Sequence, residues 1–225
     1  MNDYRCFIWD FDGTLYDTYD RIERAVKKGM EEMGLTSEGQ DIKALAKTTL
    51  RHACRVLTGE ERARELLARY FAHAEDEGPE TIQPYPGCAE TLRAIVDAGG
   101  LNYLYTHRNQ TALDALQRDG LMDYFRDFIT DEADFPSKPA PDALNWLIEQ
   151  HHLDRRECVM IGDRVIDAQA GRNAGIASAL FDPDRFFRPE DADFFFEKLT
   201  DIPERLLRGS SRPDVRHSIE RLPLQ

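Results

Sequence analysis

The sequence of 225 residues is short of basic side chains, with 29 lysines and arginines against 42 aspartates and glutamates. The formal net charge is therefore −13 at pH 7. A protein that binds nucleic acid without sequence preference needs a broad basic surface to neutralise phosphates. The composition argues against a nucleic-acid partner, but a local cationic site for a small phosphorylated molecule is compatible with it.

Long apolar runs and cysteines are also scarce. No stretch approaches the ~18 apolar residues that a membrane-spanning helix requires, and the first residues lack the apolar stretch of a signal peptide. Four widely spaced cysteines form no C-x-x-C pair: Cys6, Cys54, Cys88 and Cys158. This spacing favours reduced, buried thiols over zinc sites or disulfides. We therefore expect a cytoplasmic protein without a membrane partner.

Short apolar runs that end in turn residues alternate with helical patterns over most of the chain. The runs predict buried strands at residues 6–9, 101–106, 128–130, 158–162 and 176–181. The helical patterns lie at residues 87–98, 110–118, 141–150 and 167–173. Strands that alternate with helices are typical of an α/β fold with a parallel sheet.

One segment, from residue 15 to residue 83, breaks this alternation and shows no strand pattern. Its apolar residues recur at helical spacing, first at Ile22, Val26, Met30 and Met33. We expect a helical insertion over residues 15–84 in a core formed by residues 1–14 and 85–208. The polar tail, residues 209–225, is expected to be poorly packed.

The first predicted strand ends in Asp10-Phe11-Asp12-Gly13-Thr14. Residues i and i+2 of an extended chain point to the same side, so two carboxylates meet where a parallel strand opens on a ligand crevice. Their repulsion is relieved by a hard cation with oxygen ligands, most simply Mg²⁺. Gly13 allows a sharp turn and a close approach to a ligand. An ordinary turn after a strand is the alternative.

Two further segments offer groups for an anion. Thr106 and His107 follow a predicted strand and precede a helical stretch, whose free N–H groups suit a phosphate. The alternative is that Thr106 caps the helix and His107 is a loop residue. Lys138 lies in a loop with two prolines, where its ammonium can neutralise a phosphoryl oxygen. The alternative is a solvated surface lysine.

A second acidic pair follows the most apolar predicted strand, within Gly162-Asp163-Arg164-Val165-Ile166-Asp167. Asp163 stands where the strand ends, and Asp167 reaches the same face if a helix begins there. The alternative is that one aspartate caps the helix while the other forms a surface ion pair.

Together these four segments resemble the motifs of the haloacid dehalogenase-like hydrolases, in the branch of phosphoglycolate phosphatase and β-phosphoglucomutase. The family pattern D-x-D-G-T is present at Asp10–Thr14, its threonine at Thr106, its Lys-Pro at Lys138 and its G-D-x-x-x-D at Gly162–Asp167. The resemblance spans residues 4–208. It implies a Rossmann-like core with a parallel sheet and an inserted helical cap.

The resemblance also implies roles for these residues. Asp10 is expected to be the nucleophile that forms an aspartyl-phosphate, and Asp12 the acid and base. Mg²⁺ is expected on the Asp10 carboxylate, the Asp12 carbonyl and Asp163. The residues expected to support the metal or to bind the phosphoryl group are Asp167 behind the metal, and Gly13, Thr106, His107 and Lys138 around the phosphoryl group.

Specificity in this branch comes largely from the cap. The segment of residues 45–53 resembles its specificity loop, which makes Lys47, Thr48 and Arg51 the first candidates for substrate contact. A solvated helix face is the alternative for all three. Arg164 stands where a serine is frequent in this branch, and neither its role nor that of Arg108 follows from the sequence.

The expected function is hydrolysis of a small phosphate monoester by a Mg²⁺-dependent phosphatase. A phosphomutase of the β-phosphoglucomutase type uses the same motifs and is the first alternative. A non-catalytic regulatory protein on the same fold is the second. The presence of Asp12 argues against dehalogenation. The sequence leaves the substrate and the oligomeric state open, and a monomer is compatible with it.

Overall fold

A computed structural model describes residues 4–76 and 82–207; the expected tail over residues 209–225 lies outside this part. The strands are β1 (Cys6–Trp9), β2 (Tyr16–Asp17), β3 (Gln83–Pro84), β4 (Leu101–Tyr105), β5 (Phe125–Ile129), β6 (Cys158–Gly162), β7 (Ala177–Phe181) and β8 (Phe194–Phe196). The helices are α1 (Tyr19–Glu32), α2 (Ile42–Thr48), α3 (Leu50–Thr58), α4 (Ala63–Asp76), α5 (Cys88–Asp97), α6 (Thr111–Arg118), α7 (Asp142–Gln150), α8 (Val165–Asn173) and α9 (Asp201–Leu206).

Six strands form one parallel sheet in the order β5-β4-β1-β6-β7-β8. The central strand β1 pairs on one side with β4, where Cys6 lies opposite Leu101, and on the other with β6, where it lies opposite Cys158. All six strands therefore have their carboxyl ends at the same edge of the sheet. The predicted α/β fold with a parallel sheet is confirmed.

Both faces of the sheet are covered by helices, and this explains the continuous apolar strands. In β1, Phe7 and Trp9 face a core formed with α5, α6 and α9, whereas Cys6 and Ile8 face a second core formed with α7 and α8. A strand that is buried on both faces has no polar positions to alternate with.

The one polar side chain in the centre of this sheet, among the residues that the structure describes in β1, β4 and β6, is the fully buried Asn102. Its amide oxygen accepts a hydrogen bond of 2.9 Å from the Trp9 indole, and its amide nitrogen donates to the carbonyls of Leu92 and Tyr124 at 3.2 and 3.3 Å. The side chain thus joins β1 and β4 to helix α5 and to the turn before β5.

Replacing Asn102 with leucine is expected to lower the free energy of unfolding by about 2–3 kcal/mol, because a buried indole N–H loses its acceptor. Urea unfolding followed by circular dichroism measures this change. Gln117→Leu, on the exposed face of α6, is the matched control and should change stability by less than about 0.5 kcal/mol. Equal stability of the two variants would contradict the prediction.

Helices α1 to α4 pack around a small apolar cluster of their own. The cluster contains Val26 and Met30 of α1 and Met33, which directly follows α1, together with Ile42 and Leu66. This confirms the single apolar face predicted from their spacing. The segment of residues 45–53, which resembles the specificity loop, is divided between α2 and α3. Thr49 is extended at the division, and its hydroxyl accepts the N–H of His52 at the start of α3.

The expectation that residues 15–83 contain no strand is wrong. The strand β2 pairs antiparallel with β3 as a two-stranded ribbon between the helical insertion and the sheet. Strands of two residues are too short to show a hydrophobic period. Leu15 and Tyr16 are buried in the core of the sheet, and the Tyr16 ring stacks on Phe11 at 4.4 Å between centroids. The division between core and cap at residues 14/15 and 84/85 stays a prediction.

The sequence patterns also missed the last strand and helix, β8 and α9, and they placed the start of β5 three residues late. Helix α8 begins at Val165, two residues before the predicted start. None of the helices that the structure describes is both long and apolar enough to cross a membrane.

Candidate active site

The predicted site residues converge at the carboxyl edge of the sheet. Asp10 follows β1, Thr106 follows β4 and Asp163 follows β6. The N–H of Asp10 donates to the carbonyl of Ile161 at 2.8 Å, and that of Thr106 to the carbonyl of Ile129 at 2.9 Å. These bonds extend the pairing of the sheet by one residue and fix where the side chains begin. The edge is the usual ligand crevice of such sheets.

Three buried carboxylates form an acid cluster at this edge: Asp10, Asp163 and Asp167. Each offers an oxygen, and these three atoms lie within 4.8 Å of one another. The Lys138 ammonium lies 2.8 Å from Asp10 Oδ1 and 2.8 Å from Asp167 Oδ1. Lys138 is only 5% exposed, so it is a buried counter-ion of two acids and not a surface lysine.

The electrostatics differ between the members of the acid cluster. Burial, with repulsion from Asp167, raises the pKa of Asp10 to about 6 despite the nearby Lys138. Burial, with repulsion from Asp10 and Asp167, raises the pKa of Asp163 to about 7. Burial acts in the same direction on Asp167, but the charges of Lys138 and Arg164 outweigh it and keep its pKa below the usual value. The cluster is short of positive charge around Asp10 and Asp163.

Two oxygens of the acid cluster are buried and have no hydrogen-bond partner among the described residues: Asp10 Oδ2 and Asp163 Oδ1. Asp167 differs, since its Oδ1 accepts from Lys138 and its Oδ2 accepts the backbone N–H of Arg164 at 3.1 Å. Buried acceptors without partners are rare in proteins, and a divalent cation with oxygen ligands fits these two. The residues present therefore suit a metal on Asp10 and Asp163, with Asp167 behind it.

The acid cluster is also reached from the helical insertion. Tyr19, the first residue of α1, donates its hydroxyl to Asp163 Oδ2. Gly13 makes this contact possible: its φ is +76°, and a Cβ there would lie 2.3 Å from Asp163 Oδ2 and 2.6 Å from the Tyr19 ring. Tyr19 belongs to no motif, so nothing in the sequence indicated a role for it.

Asp12 forms an ion pair with Arg108, whereas Asp10 is paired with Lys138. The Arg108 guanidinium approaches Asp12 from two nitrogens, with Nε 3.1 and 3.2 Å from the carboxylate oxygens and Nη2 2.5 Å from Oδ1. Burial acts to raise the pKa of Asp12, but the charges of Arg108 and Arg164 outweigh it and hold the pKa below its usual value. Arg108 had no role from the sequence; here it is the counter-ion of Asp12.

Thr106 and His107 lie in the site, but not at a helix N-terminus. Helix α6 begins at Thr111, within one residue of the predicted start at residue 110, so the alternative in which Thr106 caps this helix is wrong. The Thr106 hydroxyl instead accepts the backbone N–H of Arg108 at 3.1 Å, and His107 Nε2 accepts the N–H of Lys138 at 3.2 Å. Burial and the charges of Lys138 and Arg164 lower the pKa of His107 to about 4, so it is neutral at pH 7.

Of the three cap candidates, Lys47 is the one that is buried near the site. Its ammonium lies 3.0 Å from Asp184 and 3.9 Å from Asp182, and 5.8 Å from the centre of the Tyr19 ring. Thr48 and Arg51 are exposed. Neither makes a hydrogen bond or ion pair with the acid cluster within the described part of the chain.

The profile of a family described as haloacid dehalogenase-like hydrolase matches residues 7–181 of the chain. The chain belongs to this family. Phosphoglycolate phosphatase of Vibrio vulnificus strain YJ016 is 33% identical over 195 residues, which cover 79% of this chain and 83% of that protein. Pyrophosphatase PpaX of Listeria monocytogenes is 26% identical over 205 residues, 87% of this chain and 93% of that protein.

Solved structures of the family share the fold. A haloacid dehalogenase-like hydrolase from Streptococcus pneumoniae superposes with a TM-score of 0.74 at 19% identity, over 88% of this chain and 96% of that one. The resemblance inferred from the four motifs is confirmed. The family match and the phosphatase relatives together identify this haloacid dehalogenase-like hydrolase as a phosphatase, a hydrolase of phosphoric monoesters.

Proposed function

We propose that this phosphatase is Mg²⁺-dependent, acts on a small phosphorylated metabolite and passes through an aspartyl-phosphate on Asp10. The observation that carries the proposal is the state of the Asp10 carboxylate. One oxygen is held by Lys138, and the other is buried without a hydrogen-bond partner among the described residues. That carboxylate is fixed in direction by Lys138, and its second oxygen has no partner among the described residues.

The metal is proposed to bind the carboxylates of Asp10 and Asp163 and the backbone carbonyl of Asp12. Asp167 supports it from behind, through Lys138 and the Arg164 N–H. Mg²⁺ suits an all-oxygen ligand set, and when bound it neutralises charge on the phosphoryl group. The four cysteines are buried free thiols, which supports the further proposal of a reducing, cytoplasmic compartment.

The reaction is proposed to run in two steps. An oxygen of Asp10 forms a bond to phosphorus while the bond to the ester oxygen breaks, and Asp12 gives its proton to the departing alcohol. In the second step Asp12 takes a proton from a water molecule, whose oxygen attacks the phosphorus and releases phosphate and Asp10. Because Arg108 holds Asp12 in the ionised form, the pair has to loosen before Asp12 carries a proton.

The remaining site residues are proposed to bind the phosphoryl group and the rest of the substrate. The Lys138 ammonium and the Thr106 hydroxyl stabilise charge on the phosphoryl oxygens, while Gly13 keeps the floor of the site clear. His107 orients the loop through the Lys138 N–H. Lys47 has more support as a cap contact than Thr48 and Arg51, because it is buried beside Tyr19.

Inorganic phosphate release from a panel of phosphorylated compounds tests the proposal. The panel includes phosphoglycolate, pyrophosphate, a hexose 1-phosphate and a phosphopeptide, each with Mg²⁺, after EDTA treatment and after Mg²⁺ is restored. We expect release that EDTA abolishes and Mg²⁺ restores. Release that ignores the metal would contradict the metal site, and a phosphopeptide cleaved faster than every small ester would contradict the substrate class.

The alternative phosphomutase activity is separated by the products formed from the hexose 1-phosphate. A phosphatase yields free sugar and inorganic phosphate in equal amounts. An isomerised sugar phosphate, with little inorganic phosphate, would favour the mutase instead.

Replacing Tyr19 with phenylalanine is expected to weaken Mg²⁺ binding about 10-fold to 100-fold, because Asp163 loses the hydroxyl that orients it. Isothermal titration of the protein with MgCl₂ measures the affinity without any substrate. Tyr124→Phe is the control, since Tyr124 lies in the turn before β5, at the opposite edge of the sheet. Equal affinity of the Tyr19→Phe variant and the unmodified protein would show that the hydroxyl does not position the ligand.

A further inference from the structure

The three cations around the acid cluster differ in how far their hydrogen-bond donors are used. Lys138 is shared between two carboxylates, and Arg108 is forked onto Asp12. The Arg164 guanidinium forms no hydrogen bond with any residue that the structure describes. Its closest acidic group is Asp163, whose Oδ1 lies 3.8 Å from Nε. Arg164 is therefore the cation of the site whose donors are unfilled.

Arg164 is nevertheless a largely enclosed residue, with a side chain only 21% exposed. It directly follows Asp163 and precedes α8, and its backbone N–H is held by Asp167. Its charge contributes to the lowered pKa values of both Asp12 and His107. The guanidinium thus lies close enough to act electrostatically both on the acid cluster and on the loop after β4.

The Arg164 nitrogens keep contact with solvent, unlike the buried polar atoms of the described residues that lack a partner, so its donors are open to a ligand. The Asp163 oxygen nearest to it, 3.8 Å from Nε, is also the one assigned above to the metal, so this contact does not occupy the Arg164 donors. A planar guanidinium matches the two oxygens of a carboxylate or a phosphate. The phosphoryl group that is transferred already has Lys138 beside Asp10.

We propose that Arg164 is a specificity-determining residue that binds a second anionic group of the substrate, separate from the phosphoryl group transferred to Asp10. The inference rests on the proposed function and narrows its substrate class. The preferred substrates are small phosphate esters that carry a carboxylate or a second phosphate. Esters of neutral alcohols lack the group that fills the Arg164 donors.

Two pairs of esters of matched size test the carboxylate and the second phosphate separately, each against a hydroxyl group. Phosphoglycolate is compared with 2-hydroxyethyl phosphate, and propane-1,3-diol bisphosphate with 3-hydroxypropyl phosphate. The kcat/KM values are measured at saturating Mg²⁺, after a metal titration for each variant. The unmodified enzyme is expected to prefer, in at least one pair, the ester with the second anionic group by about tenfold or more in kcat/KM. This is the effect expected of a pair of charge-assisted hydrogen bonds.

The variants Arg164→Gln and Arg164→Lys locate the preference. In Arg164→Gln the preference should fall about tenfold or more. The KM should rise for the ester with the second anionic group and change less for the ester whose second group is a hydroxyl. Arg164→Lys keeps the charge and should restore part of the preference. Arg156→Gln removes an exposed arginine near the opposite end of β6 and should leave the preference unchanged. Circular dichroism and thermal unfolding show that each variant is folded.

Three results would overturn the inference. One is an unmodified enzyme that releases phosphate from both members of each pair with equal kcat/KM. Another is an Arg164→Gln variant that slows all four esters by the same factor, since Arg164 would then only support the acid cluster. In both cases the proposed phosphatase stands. An enzyme that releases phosphate from none of the four esters overturns the inference together with the proposed function.

Discussion

Replacing Asp10 with asparagine is expected to reduce phosphate release by about four orders of magnitude or more, because the variant lacks the oxygen that forms the bond to phosphorus. The measurement is kcat for the best ester of the panel, with Mg²⁺ present. Asparagine keeps the size of the side chain and one oxygen at the same place, so the change isolates the nucleophile from the packing around it.

The fold of this variant is expected to be at least as stable as that of the unmodified enzyme. The pKa of Asp10 is raised to about 6, so the folded state disfavours the charged carboxylate at pH 7, and a neutral amide removes that penalty. The control is Asp123→Asn, an exposed residue before β5, which should retain full activity. Residual activity above about a hundredth in Asp10→Asn would rule out Asp10 as the nucleophile.

Replacing Lys138 with methionine is expected to lower the free energy of unfolding at pH 7.5 by about 3–5 kcal/mol, because two buried carboxylates lose their shared counter-ion. Methionine fills most of the space but supplies no charge. Attraction to Asp10 and Asp167 raises the pKa of Lys138 despite its burial. Its stabilising contribution is therefore fully present at neutral pH and is lost only above the ordinary range of a lysine.

The effect of pH on this variant has a defined sign. Without Lys138 the raised pKa of Asp10 rises further, and the pKa of Asp167 loses an interaction that lowers it, so protonation removes their charge as the pH falls. The stability deficit relative to the unmodified protein should therefore shrink between pH 7.5 and pH 5.5, in urea unfolding at 1 mM EDTA. At the higher pH, adding Asp167→Asn to the Lys138 variant should recover part of the loss. Lys28→Met, on the exposed face of α1, serves as the control.

An equal loss of stability at both pH values would contradict this account of Lys138. The deficit would then come from packing and not from the uncompensated carboxylates. The same would follow if the double variant were no more stable than the single one, because the second buried charge would have contributed nothing.

The candidate site shows where motif reasoning works. Asp10, Thr106 and Asp163 follow strands β1, β4 and β6, and those strands were found from their apolar runs. In a parallel sheet such positions share one edge, so the sequence could place these residues together without any coordinates. Lys138 follows no strand. Its location came from the resemblance, and its burial between two carboxylates came from the structure.

The contacts of Arg108, Tyr19 and Arg164 could not be predicted in this way. Arg108 meets a carboxylate 96 positions earlier in the chain, and Tyr19 donates to one 144 positions later. Nothing local to these residues indicates such a partner. The ribbon β2–β3 and the strand β8 were also not predicted, because strands of two or three residues are too short to display a hydrophobic period.

The sequence by itself determined the α/β fold, the helical insertion and the identity of the four motifs, because strand periodicity, helix periodicity and turn chemistry are local properties. Only the tertiary structure decided which charges are used and which are left over. Lys138 and Arg108 are occupied by carboxylates. In the described part of the chain, two acid oxygens are buried without hydrogen-bond partners, and the largely enclosed Arg164 guanidinium forms no hydrogen bond and approaches Asp163 only to 3.8 Å. That difference arises from folding, which brings charged groups from separate strands into one poorly hydrated place where each needs a partner.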